Sequence, residues 1–305
     1  MKKYKFAIVD NTVYTGKDAL DFYSSALLEG GSTSLFRLVP NVKSKIKLPS
    51  YNAGEIIKDE GCAWSPSGEG TLDQKSFEVC GKDIQLELCA TTFENNFLGE
   101  LMRPGSNTGE VAPPDFLNYM TGEVARKVQN DLEVAAWQGD VDSVSGYPFT
   151  ICDGINKKAA ADATVIDVTG ETVTLANVIA EITKVYNAIP ATIINSPDLR
   201  IFVSDNIARL YQQAVATASN EAYYVGAKEA NFLGIPFVVA QGQLPDVMLA
   251  GVTTNFVLLT DLLSDEQELN VIPQNAVTGT RTVRIAGSFK IGFDFLVGSE
   301  VVYYA

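Results

Sequence analysis

The stretch DFLNYMTGEVARKVQNDLEVAAWQGD, residues 115–140, decides how the rest of this chain is read. Its apolar side chains fall at Leu117, Met120, Val124, Val128, Leu132 and Ala135. Steps of three and four place such residues on one face of an α-helix. Pro113-Pro114-Asp115 supplies a helix start, and Gly139 supplies a stop. At about 1.5 Å per residue the helix spans roughly 35 Å. A rod of that length suits a framework that carries other pieces. A short irregular run follows it, then Asp153-Gly154-Ile155.

Upstream of the rod, KFAIVD reads as a short strand and Lys17 to Leu28 as a helix ended by Gly30-Gly31. VKSKIKL then alternates Val42, Ser44, Ile46 and Leu48 with Lys43, Lys45 and Lys47. Period-two alternation predicts an extended arm with one basic face. Lysines there suit a partner-bound strand, and they also block unwanted edge pairing. From about Gly54 to Thr92 the chain reads as a long hairpin. Its tip is Ser65-Pro66-Ser67-Gly68-Glu69-Gly70, with Trp64 beside it, and its return run alternates through Phe77, Val79, Ile84, Leu86 and Leu88. A two-stranded ribbon is marginal alone in water, so a projecting one must lie on something. Arg103-Pro104-Gly105 breaks the connection into the rod.

Downstream the pattern turns α/β. TVIDVT and LRIFVS read as strands. A helix is expected to present Leu175, Ile179, Ile182 and Val185 on one face, and DNIARLYQQAVATAS a second helix capped at Ser204 or Asp205. GIPFVV and NFVLLTDLL are short apolar strands. The last segment, RTVRIAGSFKIGFDFLVGSEVVYYA, is strand-rich and closes a sheet begun earlier.

Composition narrows the function. With 46% hydrophobic and 20% charged residues, the 305-residue chain has a globular balance and can bury a sizeable core. No apolar run approaches the roughly 20 residues of a membrane span, and the basic MKKYKFAIVD lacks the apolar core of a signal peptide. The chain contains no histidine. That excludes Ser-His-Asp and Cys-His catalysis and a histidine pH switch, and lowers the prospects of an enzyme. Cys62, Cys80, Cys89 and Cys152 show no Cys-x-x-Cys spacing and are read as reduced, half-buried thiols. Net charge is −14, yet residues 1–50 carry eight lysines and arginines against four acids. The acidic body argues against a sequence-reading nucleic-acid domain. The basic segment suits docking on acidic surfaces, including those of identical neighbours.

In its order of parts, the chain resembles the major capsid proteins of tailed bacteriophages with the HK97-type fold. The order is basic arm, long hairpin, connection, and long helix ending in Trp137-Gln138-Gly139-Asp140. Asp153-Gly154-Ile155, the α/β lobe and closing strands follow. Pro197-Asp198-Leu199, Gly234-Ile235-Pro236-Phe237-Val238-Val239, Leu244-Pro245-Asp246, Gly292 and Gly298-Ser299-Glu300-Val301-Val302 fit the same pattern. The resemblance covers roughly residues 35–305. It implies an α+β fold with an N-arm (1–50), an E-loop hairpin (51–92) and a P-domain with a spine helix (93–150). An A-domain (151–275) and strands returning to the P-domain (276–305) complete it.

The resemblance also implies a non-enzymatic shell subunit without cofactor or metal, forming pentamers and hexamers around double-stranded DNA. It would be made in host cytoplasm and end in the virion, with portal and auxiliary proteins as partners and no membrane. No long helical segment precedes the arm, which implies a separate scaffolding protein or none. Some relatives cross-link an E-loop lysine to a neighbour's asparagine; Lys58, Lys75 and Lys82 lie in the hairpin, but none matches that chemistry. The candidate contacts between copies are Trp64, Lys43, Lys45, Lys47, Lys58, Lys75 and Arg103, with Trp64 as an anchor on a neighbour.

Other readings compete. An encapsulin-like cargo compartment shares the fold, and the helix 17–28 suits it. A metal-dependent enzyme would use the acid cluster Asp261, Asp265, Glu266 and Glu268, with Asp140 and Asp142 a weaker set of oxygen ligands. An adhesin or glycan-binding module would need exposed aromatics, for which Trp64 is the one clear fit.

Overall fold

The computed structural model describes residues 13–14, 31–52, 57, 71–89, 114–218, 231–261, 269–274, 278–280 and 282–305. The strand KFAIVD and the helix 17–28 lie outside these residues. In chain order come β1 (Val13–Tyr14), β2 (Arg37–Val39), β3 (Lys45–Asn52), β4 (Thr71–Glu78) and β5 (Cys80–Cys89). The long helix α1 runs Pro114–Gln138, followed by α2 (Ile155–Ala161), β6 (Ile166–Val168), α3 (Val178–Ala188), β7 (Leu199–Val203) and α4 (Asp205–Ala218). The remaining strands are β8 (Asn231–Phe232), β9 (Ile235–Val239), β10 (Met248–Val252), β11 (Phe256–Thr260), β12 (Leu269–Pro273), β13 (Thr282–Phe295) and β14 (Val302–Tyr304).

Among the described residues the strands form two six-stranded sheets and a two-stranded ribbon. In the first sheet β13 is the spine: β5 pairs along one side of it, β12 and β11 along the other, and β2 adds parallel to β11. The second sheet runs β6-β14-β10-β7-β9-β8. The ribbon is β3 against β4, from Lys45↔Glu78 to Asn52↔Thr71.

Alternation along single strands explains how the layers share cores. In β11, Phe256 and Leu258 join a core with the C-terminal half of α1, whereas Val257 and Leu259 point the other way, onto Val42 and Phe77 of the ribbon side. In β7 and β10, Phe202 and Leu249 face that first core. Ile201, Val203, Met248 and Ala250 face a second core with Ile182, Val185 and Ile207 of α3 and α4. Strands covered on both faces read as unbroken apolar runs, which is why LRIFV and FVLLT show no alternation in sequence.

The C-terminal part of α1's apolar stripe packs as its spacing predicts: Leu132 and Ala135 are buried and Val128 is partly buried. Trp137 is fully buried, its ring 5.9 Å from Phe36 and 5.2 Å from Phe202. Glu133, on the same helix, is buried too. Its carboxylate accepts the backbone N–H groups of Ser32 and Thr33 at 3.2 and 3.3 Å and the Ser32 hydroxyl. Ser32 Oγ in turn accepts the Trp137 indole N–H at 2.8 Å. A buried carboxylate must be hydrogen-bonded to persist, and here the 3₁₀ turn Ser32–Leu35 supplies the donors.

Gly139 ends α1 because two backbones meet there. Its carbonyl accepts Gly154 N–H at 2.8 Å, and a Cβ on it would overlap the carbonyls of Cys152 and Ala135. The Gly139 and Asp153-Gly154-Ile155 punctuation is thus a packing joint.

Four expectations change. The lysine-rich strand is one leg of the ribbon itself, because its partner is β4; the stretch 31–50 is folded body, with Phe36 and Val42 buried. The return run divides at Val79, β4 going to the ribbon and β5 to the first sheet. The last strand β14 sits inside the second sheet, between β10 and β6, apart from β13. In α3 the buried face is Val178, Ile182 and Val185, whereas Leu175 precedes the helix and, like Ile179, is exposed. The turn before α3, where Thr174 N–H donates to Asn177 Oδ1 at 2.6 Å, starts the helix three residues late for the predicted stripe. The cap of α4 is Ser204, whose Oγ accepts Ile207 N–H at 3.3 Å.

Candidate assembly surface

The ribbon carries the predicted lysines outward. Lys43, Lys45 and Lys47 are exposed, with Ile46 and Leu48 half-buried on the opposite face. Strand pairing puts Lys45 opposite Glu78, and the two form an ion pair that holds the Glu78 carboxyl below its usual range. Lys43 gives its carbonyl to the Lys290 ammonium at 2.9 Å. Beyond Asn52 and before Thr71, Lys58 and Trp64 fall outside the described residues, as does Arg103; Ile57, in the same stretch, is described and exposed.

Lys75 is turned inward. It pairs with Asp162 and Asp294, each at 3.4 Å, and lies over the Phe295 ring at 3.7 Å. It therefore ties the ribbon base to its own subunit. Lys75 lines a cleft of about 810 Å³ beneath the ribbon, together with Cys80, Cys152, Lys158, Asp162 and Asp294. Lys158 donates to Asp294 at 2.8 Å and to the Phe293 carbonyl at 2.6 Å. Hydrogen bonds from Thr164, against the opposing cost of partial burial, and the charge of Lys75 hold Asp162 below the usual carboxylate range.

The cysteine expectation is overturned in this cleft. Cys80 and Cys152 form a disulfide, with Cα atoms 5.7 Å apart. The start of β5 and the loop after α1 converge there, a meeting of segments 72 residues apart that no local spacing announces. Cys89, at the far end of β5, is exposed.

The loop after α1 is organised by a lysine that the sequence reading passed over. Lys157 donates to Asp140 at 2.6 Å, Asp153 at 2.7 Å and Asp142 at 3.2 Å. Its hydrogen bond lowers the Asp140 carboxyl. At Asp153 partial burial pushes the other way, but Lys157 and the Val141 N–H outweigh it and the net shift is downward. Hydrogen bonds from Asp140 and Asp153 raise Lys157 well above the ordinary lysine range. The Asp140 and Asp142 pair considered as cation ligands therefore face a resident ammonium. Among the described residues no group of three or more His, Cys, Asp or Glu is placed to hold a metal ion; Asp265, Glu266 and Glu268 lie outside them, while Asp261 is buried and pairs with Lys290 at 3.2 Å.

These carboxylates have folded pKa values below their unfolded ones, so their contribution is complete above about pH 4 and is lost as pH falls through the lowered values. Lys157→Met should lower the subunit's Tm by a few degrees at most at pH 7, since the cluster is well exposed. In a pH series of thermal melts the gap from the parent should narrow as pH falls through the lowered carboxylate values.

A second concavity, about 390 Å³, runs between α1 and β5, floored by Ile84, Leu86, Val124, Val128 and Phe289. Tyr147 stands exposed at its rim, with Lys82 5.5 Å from its ring centre. Val144, in the same loop, is fully exposed. Among the described residues no helix is long and apolar enough to cross a membrane.

No protein-family model matches the chain, and no curated protein matches it. Its fold, however, is that of chains in solved phage capsids. A chain of the satellite phage P4 procapsid is 12% identical, with a TM-score of 0.60, over 94% of this chain and 98% of that one. A chain from the capsid of the empty GTA particle is 12% identical, TM-score 0.56, over 100% of this chain and 94% of its own. The capsid of Myoviridae phage XM1 gives 10% identity and a TM-score of 0.55, over 99% and 96%.

Proposed function

We propose that this chain is a major capsid protein. It self-assembles as hexamers and pentamers into an icosahedral phage head enclosing double-stranded DNA. The observation that carries the reading is the likeness of fold, end to end, to chains of assembled capsids.

In this reading the ribbon of β3 and β4, with the stretch between them, is the E-loop that overlaps a neighbour. α1 is the spine helix, the first sheet forms the P-domain, and the second sheet with α3 and α4 is the A-domain that meets around capsomer axes. The exposed lysines Lys43, Lys45 and Lys47 approach carboxylates of adjacent copies, with Trp64, Lys58 and Arg103 as further contacts. Lys75 serves the same overlap indirectly, by fixing the ribbon base. Long ribbons and arms give contact area without a large globular interface, so each contact stays modest and errors can be corrected before closure. Heterologous contacts of this kind close into rings. The body's net negative charge keeps free subunits soluble and leaves packaged DNA unheld. A portal and auxiliary proteins, with a separate scaffolding protein or none, complete the particle, which forms in host cytoplasm.

Sedimentation and negative-stain imaging of the purified chain test the proposal: closed shells or rings are expected, and a strict monomer at high concentration would sink it. Small shells that copurify with an enzyme would redirect it to a cargo compartment. Because residues 31–50 belong to the folded body, the arm is tested by removing residues 1–30. Soluble subunits that form no shells are expected, and normal shells from that truncation would count against any role of the arm.

A further inference from the structure

We propose that the groove between α1 and β5 is a docking site for an extended strand, and that its occupant is residues 4–10 of a second copy of this chain. β5 is an edge: among the described residues it pairs only with β13, over Cys80–Cys89. Five consecutive β5 residues, Lys82 to Leu86, line the groove of about 390 Å³. A wall built from odd and even positions alike is the strand's backbone edge, where every second residue turns an N–H and a C=O outward. The opposite wall is α1, which contributes Val124, Val128 and Leu132. About 12 Å of helix thus faces about 13 Å of strand edge. A strand added at a sheet edge draws affinity from main-chain hydrogen bonds and specificity from its alternate side chains.

Alternation selects the occupant. On β5, Lys82, Ile84 and Leu86 are half-buried toward the groove and Leu88 continues that face, whereas Asp83, Gln85 and Glu87 are exposed on the other. In MKKYKFAIVD, Tyr4, Phe6, Ile8 and Asp10 share one face of an extended chain, and Lys3 and Lys5 share the other. One antiparallel register satisfies both faces at once. Ile8 falls opposite Ile84, Phe6 opposite Leu86 and Tyr4 opposite Leu88, while Asp10 meets Lys82 and Lys5 meets Glu87. Glu87 already pairs with Arg284 at 3.2 Å, but its exposed carboxylate has acceptor positions to spare.

The segment cannot reach its own groove. Val13, Asn270, Ala286 and Gln85 stand in line across β1, β12, β13 and β5. A strand added outside β5 therefore lies four spacings from β1, about 19 Å. Asp10 precedes Val13 by three residues, a reach of at most about 11 Å. The occupant therefore comes from another copy. This docking rests on the capsid reading for an arm that meets a neighbour, and it names where that arm lands.

The test uses the dilute full-length subunit and needs no shell, so it can fail while shells form and succeed where none do. A fluorescent peptide of residues 1–10 is titrated in and followed by anisotropy, hydrogen exchange and carbodiimide coupling. Saturable binding is expected, with amides of 82–88 slowed at least about fivefold and those of 199–203 changed less than about twofold. Coupling should join peptide Lys5 to Glu87. A peptide carrying Phe6→Lys and Ile8→Lys should bind at least about tenfold more weakly, as should the parent peptide on the Val124→Arg subunit. If that subunit fails to fold, the altered peptide carries the comparison alone. No binding at millimolar peptide, equal binding of the two peptides, or binding without protection of 82–88 would overturn the proposal. So would protection of residues 4–10 in the dilute subunit before peptide is added, because the chain would then be filling its own groove.

Discussion

Trp137→Ala should lower the unfolding free energy of the isolated subunit by about 4 kcal/mol, the usual cost of deleting a fully buried aromatic ring. Trp137 has no solvent exposure and packs against the rings of Phe36 and Phe202. The substitution opens a cavity where α1, the first sheet and the second sheet meet. It also removes the indole N–H that Ser32 Oγ accepts, in a network anchored on buried Glu133. Trp137→Phe keeps most of the volume and loses chiefly the hydrogen bond, for roughly 1 kcal/mol. Denaturant titration of both variants separates packing from hydrogen bonding. A loss under about 1 kcal/mol for the alanine variant would mean that this junction does not hold the layers together.

Phe77→Ala should act on assembly more than on the body. Phe77 is fully buried although it belongs to the ribbon, because it inserts between Val42, Val257 and Leu259 on the open face of the first sheet. Its cross-strand partner Ile46 is half-buried beside it. Removing the ring should cost about 3 kcal/mol, concentrated where the ribbon meets the sheet. A ribbon with its anchor removed no longer leaves the body at a fixed angle. The yield of closed shells by sedimentation should then fall at least about tenfold, even under conditions where the folded fraction stays near that of the parent. Glu78→Gln next to it, on the exposed side, is the control. It should leave the denaturation midpoint near that of the parent and leave assembly intact. Unchanged shell yield from Phe77→Ala would detach ribbon geometry from shell formation.

How far the sequence alone led depended on the range of the interaction involved. The helix α1 was legible because its stripe repeats over about five turns, and β6, β7 and α4 because apolar runs and the Ser204 cap are local signals. The arm strand was legible as a strand, but its partner was not. Pairing Lys45–Asn52 with Thr71–Glu78 is a choice of register across an intervening stretch, and alternation fixes faces without fixing partners. In α3 two overlapping stripes fit the spacing, Leu175-Ile179-Ile182 and Val178-Ile182-Val185. The start of the helix, set by Thr174 and Asn177, chose the second.

In the candidate site the exposed lysines of the ribbon could be read directly, whereas the groups that position it could not. Glu133 looks like a solvent-facing residue until the Ser32–Thr33 turn is placed on it, with Trp137 one turn further along as the available clue. Asp153 and Lys157 stand four apart, a spacing that signals an ion pair, but Asp140 joins them only through the Gly139–Gly154 joint. The cysteine pair is a purely tertiary encounter.

The place of β14 makes the order of synthesis matter. Residues 302–304 lie between strands made much earlier, 166–168 and 248–250. At about 5–20 residues per second, roughly seven to twenty-seven seconds separate the emergence of β6 from that of its partner. Until then β6 is cut off from the other strands of the second sheet, and the facing edges of β6 and β10 are unpaired, of the kind that recruit other chains. A nascent subunit on the ribosome is therefore a sticky half-lobe, and completing one short strand is what takes those two edges out of circulation.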